Sequence, residues 1–298
     1  MAENAPTQES QSQAAERISK ILETKEYIDN PEILPWYRKE LNEIKPRTRE
    51  LLETYSKIPS GDVEAHVHKV RDDAFKIFPY PCLGNWGFLN LNIADSPVYS
   101  EVLERVKNGE QYLDIGCCMG QDVRKLISDG APPENVFASD VKKEFWDIGQ
   151  DLFLDKDSLN VKFISADALD PDSDLKELDG KLNLVLAHSF FHLFSWDDQV
   201  KAAKRVVQLL KPEPGAMVFG RQGAKPDAGS FAKINKVHTA FWHNVESWEK
   251  LWKQVGEETG TQWDVKSSLG EEDLSDRLRM SSLVPSGTRY MTFTIRRL

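Results

Sequence analysis

The stretch Tyr112–Asp122, YLDIGCCMGQD, has the form of a β-strand that runs through a glycine-containing turn into a helix. Gly116 allows a sharp turn after the strand, and Gly120 allows the helix to pack close to it. Amide groups at the start of that helix have no partner within the helix and are available to polar ligand atoms. The stretch therefore predicts the first strand and the ligand-binding loop of an open α/β sheet.

The residues after this loop alternate between strand-like and helix-like patterns. Strand-like runs lie at 111–116, 135–140, 160–167, 182–189, 215–222, 261–269 and 289–298. Helix-like runs lie at 122–130, 144–154, 197–210 and 245–260. The order predicts an α/β fold with a Rossmann-like, doubly wound, mostly parallel seven-stranded sheet and an antiparallel end.

The residues before the sheet predict an extension. Residues 1–15 are rich in Gln, Ser, Ala and Glu, a composition typical of a disordered tail. Residues 16–108 carry apolar residues at helical spacing, interrupted by prolines, and include an aromatic segment at 78–97 that reads as a lid. A helix at 98–109 ends at a glycine. We expect a tail over 1–15, a helical extension and substrate lid over 16–108, and the ligand-binding domain over 109–298.

Composition excludes several classes of protein. The formal net charge is −10 and the basic residues are scattered, so no footprint for nucleic acid is present. The first twenty residues lack the apolar core of a secretory signal, and no apolar run is long enough to span a membrane. Three cysteines cannot form a disulfide framework and lack the spacing of a zinc site. We expect a soluble, cytoplasmic protein with reduced thiols and no bound metal.

An acidic residue lies in, or at the end of, each of three successive predicted strands. Asp114 lies in the first strand, Asp140 ends the second and Asp167 ends the third. A dinucleotide loop favours G-x-G-x-x-G, because a pyrophosphate needs close backbone approach and repels acids; here the pattern is D-x-G-x-x-x-G. Acids at these places suit a ligand with a ribose diol and a positive centre. S-adenosylmethionine has both, with Asp140 expected on the ribose and Asp167 and the Ala168 amide on the adenine.

The expected cofactor contacts all lie at the carboxyl ends of predicted strands or at the starts of the helices that follow. They are Asp114, Gly116, Cys117, Gly120, Gln121, Asp140, Val141, Asp167, Ala168 and His188.

These residues resemble class I S-adenosylmethionine-dependent methyltransferases. The runs YLDIGCCMGQDVRKL, YPCLGNWGFL, HSFFHLFSWDDQ and GRQG resemble the fungal branch that acts in terpenoid and meroterpenoid biosynthesis. The resemblance extends from about Trp36 to the C-terminus, and the double cysteine is part of it. It implies S-adenosylmethionine as cofactor and methyl-ester formation on a carboxylate of a small apolar substrate. Cys118, at the place of a usual glycine, is expected to pack as an apolar residue in the sheet–helix seam.

The fourth and fifth strand ends supply candidates for contact with the acceptor. His192 follows the fourth strand, four residues after His188, and Arg221 lies at the end of the fifth. We expect both at the acceptor because an imidazole can donate a hydrogen bond and a planar guanidinium suits a carboxylate. Aromatic and neighbouring side chains predicted to wall the substrate are Tyr80, Trp86, Phe88, Phe191, Trp242 and His243.

Other interpretations remain open at the level of sequence. A histidine, arginine or aromatic residue in these runs can equally be a packed or ion-paired residue. The chain could methylate a phenol or enol with His192 as general base, or bind cofactor as a regulatory protein without turnover. A redox role for Cys117 and Cys118 requires exposure and a lowered pKa. A homodimer is compatible with the sequence.

Overall fold

The computed structural model describes residues 11–232, 239–274 and 287–298. Its strands are β1 Tyr112–Ile115, β2 Val136–Asp140, β3 Lys162–Ser165, β4 Leu184–Leu186, β5 Met217–Ala224, β6 Gly229–Ala232, β7 Thr239–Trp242, β8 Trp263–Leu269 and β9 Arg289–Arg297. Seven form one sheet in the order β3-β2-β1-β4-β5-β9-β8, and β6 and β7 form a separate antiparallel pair. The predicted seven-stranded sheet is confirmed. The β6–β7 pair was not predicted as strands.

The central strands of the sheet are buried and parallel, and the sheet ends in antiparallel strands. β1 and β4 are buried along their whole length, as central parallel strands covered on both faces should be. β1, β2, β3, β4 and β5 run parallel, so their carboxyl ends meet at one edge of the sheet. β9 pairs antiparallel with both β5 and β8. The predicted antiparallel end is therefore confirmed, and the site is expected at the shared carboxyl edge.

The helices are α1 Gln11–Thr24, α2 Pro46–Glu50, α3 Val63–Ile77, α4 Pro81–Gly84, α5 Tyr99–Lys107, α6 Gln121–Ser128, α7 Lys143–Phe153, α8 Trp196–Leu209 and α9 Val245–Thr259. Prolines occupy the first turns of α2 and α4, where a missing N–H costs nothing. α5 ends just before Gly109, whose φ of 96° fits the predicted terminating glycine. None of the helices in the described residues is long and apolar enough to cross a bilayer.

The start of the chain needs a correction. The predicted disordered tail covered residues 1–15, but α1 begins at Gln11, and Ala14 and Ala15 are buried. Small apolar residues on one face of α1 pack inward, so the composition alone placed the boundary too late. Residues 1–10 lie outside the described residues.

Three clusters of buried side chains hold the fold together. One fills the face of the sheet under α5 and α6, and a second fills the opposite face under α8 and α9. The third, which we call the extension core, joins α1, α3 and the segment around α4 to Met119 of the loop and to Phe145, Leu152 and Phe153 of α7. The helical extension therefore packs directly on the loop after β1.

Candidate active site

The loop between β1 and α6 is shaped by its glycines and by the end of β2. Gly116 has a φ of 73°, a left-handed conformation that glycine adopts freely. The N–H groups of Gly116 and Cys117 both donate to the Ser139 carbonyl, at 2.8 and 3.0 Å. A Cβ on Gly116 would lie 2.9 Å from the ring of Phe190. The expected sharp turn is present, with an aromatic ring pressed against it.

A buried arginine fixes the second half of the loop. Arg124 Nη1 donates to the Met119 carbonyl at 3.0 Å, while Nε and Nη2 form a bidentate ion pair with Asp155 at 2.9 and 3.0 Å. The guanidinium also lies over the Trp146 ring, 4.3 Å from its centre. Gly120, with a φ of 66°, is required here because a Cβ would approach Arg124 and Trp146 to 2.4 and 2.6 Å.

The two loop cysteines have different surroundings. Cys117 is buried in the cluster between the sheet and α6, and burial raises the pKa of its thiol well above the usual range. Cys118 has a φ of 51° and packs against the extension core, and the nearby Cys82, together with burial, raises the pKa of its thiol well above the usual range. The prediction that Cys118 packs in the sheet–helix seam is therefore wrong, because the left-handed turn points it the other way. Cys117 occupies that seam.

Asp140 closes the loop from the end of β2. One carboxylate oxygen accepts from the Cys118 N–H at 2.9 Å, and the other accepts from the Lys142 N–H at 3.0 Å. Burial raises the pKa of Asp140, and these backbone hydrogen bonds oppose that rise. The acid predicted to bind a ribose therefore also sets the shape of the loop, and each oxygen keeps a lone pair for a further donor.

Acidic groups crowd the space behind the loop. Burial raises the pKa of Asp114 well above its usual range, and the nearby Asp122 and Asp140 raise it further. Burial raises the pKa of Asp122 to about 7. A cationic ligand would relieve this repulsion, because an opposite charge within a few ångströms favours the ionised acid. The residues present therefore fit S-adenosylmethionine, which carries a sulfonium and an ammonium group.

The remaining predicted cofactor contacts lie along the same edge of the sheet. Val141, directly after Asp140, is 60% exposed, which is unusual for valine and suits contact with a flat ring. Asp167 accepts from the Leu169 N–H at 2.8 Å and so shapes its own turn, while Ala168 is buried. Gln121, in the first turn of α6, has a buried side-chain oxygen without a partner among the described residues.

The residues predicted to contact the acceptor lie on β5 and directly after β4. The Ser189 N–H donates to the Arg221 carbonyl at 2.7 Å, which pins the chain after β4 to β5. Burial lowers the pKa of His188 well below its usual range, and Arg221 and His192 lower it further. His188 is therefore neutral at physiological pH. The Gly223 N–H donates to His192 Nδ1 at 3.4 Å, so the proton of a neutral His192 ring lies on Nε2.

Arg221 is held on two sides, and one of its hydrogen-bond donors has no partner among the described residues. Nη2 donates to Asn92 Oδ1 at 2.8 Å, and the guanidinium lies 3.8 Å from the centre of the Tyr290 ring. Its Nε is buried and has no hydrogen-bond partner among the described residues. Within residues 11–232, 239–274 and 287–298, no carboxylate forms an ion pair with Arg221. The structure thus places His188, His192 and Arg221 close to one another.

Two of the predicted wall aromatics are instead part of the extension core. Trp86 is 8% exposed, donates from Nε1 to the Glu40 carbonyl at 3.0 Å, and lies under Arg71 at 4.1 Å. Phe88 is buried in the same cluster. Both predictions need correction, because the lid segment folds inward on its own aromatic residues and leaves these two rings no open face.

Two more predicted wall residues lie in the core under α9. Phe191 is fully buried, with its ring centre 5.4 Å from that of Trp248. His243 is also fully buried, with its ring nitrogens 2.9 Å from Ser247 Oγ and 3.0 Å from Gln199 Oε1, and burial lowers its pKa to about 3. These two predictions are corrected as well.

Tyr80 and Trp242 are half-buried and keep part of their surface exposed. Burial, followed by the nearby Asp140, raises the pKa of Tyr80. Trp242 Nε1 donates to the His192 carbonyl at 3.2 Å, and the two rings meet edge to face with centres 6.0 Å apart. A Cβ on Gly223 would lie 3.7 Å from Trp242. Trp242 therefore borders the acceptor candidates.

Sequence reasoning missed Asn92, Asp122 and Arg124. Asn92 reaches Arg221 from 129 positions away, and Arg124 reaches Asp155 across 31. Asp122 accepts a hydrogen bond from the Ile93 N–H at 3.1 Å. Asp122 lies inside the quoted loop stretch, so an acid in the first turn of α6 was an available signal. Nothing local marks Asn92.

The chain matches two family models. The model of the meroterpenoid methyltransferase N-terminal domain matches residues 36–89, and a methyltransferase domain model matches residues 113–213. The O-methyltransferase phiE from a fungal species is 42% identical over 88% of this chain and 92% of its own length. The chain belongs to the fungal meroterpenoid methyltransferase family. S-adenosylmethionine is the methyl donor of this methyltransferase, in agreement with the crowded acids behind its loop.

Other relatives also cover most of this methyltransferase. The asnovolin E/chermesin D methyltransferase nvfJ from Aspergillus novofumigatus is 44% identical over 76% of this chain and 82% of its own length. The methyltransferase ausD from Penicillium brasilianum is 42% identical over 90% of this chain and 95% of its own length. The helical extension is thus part of the family, together with the sheet.

Proposed function

We propose that this methyltransferase forms a methyl ester on a carboxylate of a small apolar meroterpenoid intermediate. The proposal rests on the contacts of Arg221 and on its unpartnered Nε–H. Its guanidinium is oriented by Asn92 and Tyr290, and its buried Nε–H has no partner among the described residues. A buried cationic donor without an acceptor is costly, and a substrate carboxylate would satisfy both its charge and its N–H.

The charges of the reaction suit this site. The bound cofactor supplies an electrophilic methyl group, which a carboxylate oxygen takes as the bond to sulfur breaks and the electron pair stays on sulfur. Two opposite charges disappear, so a pocket poor in water favours the transition state. Arg221 holds one carboxylate oxygen and leaves the other to attack, which aligns the nucleophile. No proton has to be removed, because a carboxylic acid is ionised at neutral pH.

The histidines agree with such a role. His192 accepts from the Gly223 N–H through Nδ1, so Nε2 of the neutral ring is a donor that can contact the acceptor. A general base for a phenol would need an unprotonated nitrogen facing the substrate. His188 stays neutral because its pKa lies well below the usual range, so it adds no positive charge beside the sulfonium.

Apolar side chains near these groups suit a terpenoid skeleton. Phe190 lies against Gly116, and Phe190 and Phe194 meet edge to face with centres 5.2 Å apart. Trp242 borders His192 from the β6–β7 pair. Aromatic surface beside a few oriented polar groups is typical of a site that binds a largely apolar ligand.

Steady-state kinetics test the proposal. The acceptors are farnesoic acid and a panel of prenylated hydroxybenzoic acids, each hydroxybenzoic acid being paired with the phenol that it gives on decarboxylation, at saturating S-adenosylmethionine. We expect turnover of acids, with kcat/KM independent of pH between about 6 and 9 because the acid arrives ionised. Arg221→Ala should lower kcat/KM by about tenfold or more, with cofactor affinity unchanged.

Different results would support other functions. Turnover of the phenols alone, with a rising limb in the histidine range that His192→Ala removes, would indicate phenol methylation with a general base. Cofactor binding without methylation of any acceptor in the panel would contradict ester formation on these acids and favour a regulatory role.

A further inference from the structure

We propose that Asn92 is a positioning residue for the reaction: it orients the Arg221 guanidinium for the acceptor without neutralising its charge. The inference rests on the proposed function, because it assigns Arg221 to the acceptor. It adds a residue from the helical extension to a site otherwise built from strand ends of the sheet.

The geometry around Arg221 is asymmetric. Asn92 Oδ1 accepts from Nη2 at 2.8 Å, and Tyr290 covers one face of the guanidinium at 3.8 Å. Together these contacts restrict rotation about the last bonds of the side chain, since one fixes an edge and the other a plane. The Nε–H edge is thereby left as the buried donor without a partner among the described residues. The guanidinium is also close enough to His188 to lower the pKa of that ring.

The chemical identity of the partner matters. An aspartate in place of Asn92 would form an ion pair with Arg221 and compete with an anionic substrate. The amide oxygen of asparagine orients the same N–H while leaving the positive charge available. The substrate carboxylate therefore meets a cation that is already oriented, which lowers the entropy cost of alignment.

Asp122 holds Asn92 in place from the other side. Its carboxyl group accepts from the backbone N–H of Ile93, the residue after Asn92, at 3.1 Å. Asp122 is 2% exposed and belongs to the first turn of α6, directly after the cofactor loop. The turn Asn92–Asp95 is thus anchored to the element that forms the cofactor site. Two hydrogen bonds therefore link the cofactor loop to Arg221 through the extension: one joins Asp122 to the Ile93 N–H, and the other joins Asn92 to Arg221.

A double-mutant cycle tests this chain of contacts. Asn92→Ala, Arg221→Ala and the double variant are compared with wild type, using the panel acid that wild type methylates fastest. Asn90→Ala is the matched control, because Asn90 lies two residues away and donates only to the Gly87 carbonyl at 3.1 Å. Cofactor affinity is measured by calorimetry, and thermal unfolding shows whether each variant folds.

We expect Asn92→Ala to raise the KM for the acid or lower kcat by about five- to thirtyfold, with cofactor affinity within about twofold of wild type. Asn90→Ala should stay within about twofold. The double variant should be no worse than Arg221→Ala alone, because Asn92 acts through Arg221. Additive losses, or an Asn92→Ala enzyme equal to wild type, would overturn the proposal while leaving the proposed function intact. An Arg221→Ala enzyme equal to wild type would overturn both.

A second measurement is independent of turnover. In protein labelled with ¹⁵N-arginine, the Arg221 Nε–H signal, assigned by its loss in Arg221→Lys, reports how firmly the guanidinium is held. We expect faster exchange of this proton with solvent in Asn92→Ala but not in Asn90→Ala. Equal exchange in wild type and Asn92→Ala would contradict the positioning role, whatever the kinetics.

Discussion

Replacing Asp122 with asparagine should make the protein more stable above neutral pH. Burial raises the pKa of Asp122 from 3.8 in an exposed carboxyl to about 7. As pH rises, the unfolded chain loses this proton first, so stability falls between about pH 4 and 7 and stays low above 7. A shift of about three pH units corresponds to about 4 kcal/mol in total. Asparagine keeps an oxygen for the Ile93 N–H but never ionises.

The size of the effect depends on the pH values compared. Between about pH 5.5 and 8, wild type should lose about 2 kcal/mol of unfolding free energy through Asp122 alone. The assay is urea denaturation of wild type and Asp122→Asn at both values, without cofactor. Asp157→Asn is the control, because Asp157 is exposed on the segment after α7. Comparing variant with wild type at each pH removes the titration of groups that do not interact with Asp122, whereas Asp114, whose pKa Asp122 raises, adds a change in the same direction.

We expect the free energy of unfolding of Asp122→Asn, relative to wild type, to increase by about 2 kcal/mol between the two pH values. The control should show no such change. A difference between variant and wild type that is the same at both pH values would refute a buried, proton-holding Asp122. It would also weaken the interpretation that crowded acids prepare the site for a cationic ligand.

Three further predictions concern the loop. Asp140→Ala should weaken S-adenosylmethionine binding by about tenfold or more, because it removes the acceptor for the Cys118 N–H along with a ribose contact; calorimetry giving unchanged affinity would refute the assignment. Arg124→Met leaves Asp155 buried without its ion-pair partner, so urea denaturation should show that the free energy of unfolding falls by about 3–5 kcal/mol. A fall of less than about 1 kcal/mol would contradict the stabilising role of the Arg124–Asp155 ion pair. Cys118→Gly should keep cofactor affinity, with stability within about 1 kcal/mol of wild type, because glycine relieves a φ of 51° while the contact with Cys82 is lost; a folded variant without turnover would give the thiol a chemical role.

The sheet and its loop could be predicted from sequence because their signals are local. Apolar runs predict the strands. Gly116 lies at a sharp turn and Gly120 at a close helix contact, and both positions require glycine. Asp140 was predicted from its place after a strand, and the structure puts it against the loop. Each of these inferences used residues only a few positions apart.

The aromatic residues show where sequence reasoning stops. Trp86, Phe88 and Phe191 lie in runs as aromatic as those of Tyr80 and Trp242, yet the first three pack in the interior while Tyr80 and Trp242 are half-buried. An apolar wall and an apolar core have the same composition, and only the three-dimensional packing decides which ring keeps an open face. The same applies to His243, whose two ring nitrogens are both satisfied by core partners.

Long-range polar contacts were also beyond prediction. Asn92 meets Arg221 because the extension folds back on the loop, and Cys118 meets Cys82 for the same reason. Each pair depends on the register of two distant segments, for which a single sequence contains no signal. These contacts nevertheless decide how Arg221 and the cofactor loop are held.

The identity of the bond that is formed tests the central claim most directly. Wild-type protein is incubated with S-adenosylmethionine carrying a deuterated methyl group and with each acid of the panel, and the products are analysed by mass spectrometry before and after mild alkaline hydrolysis. Ester formation at Arg221 predicts a labelled product from which alkali releases deuterated methanol and regenerates the unlabelled acid. A labelled product that survives alkali unchanged would be an ether and would contradict the account.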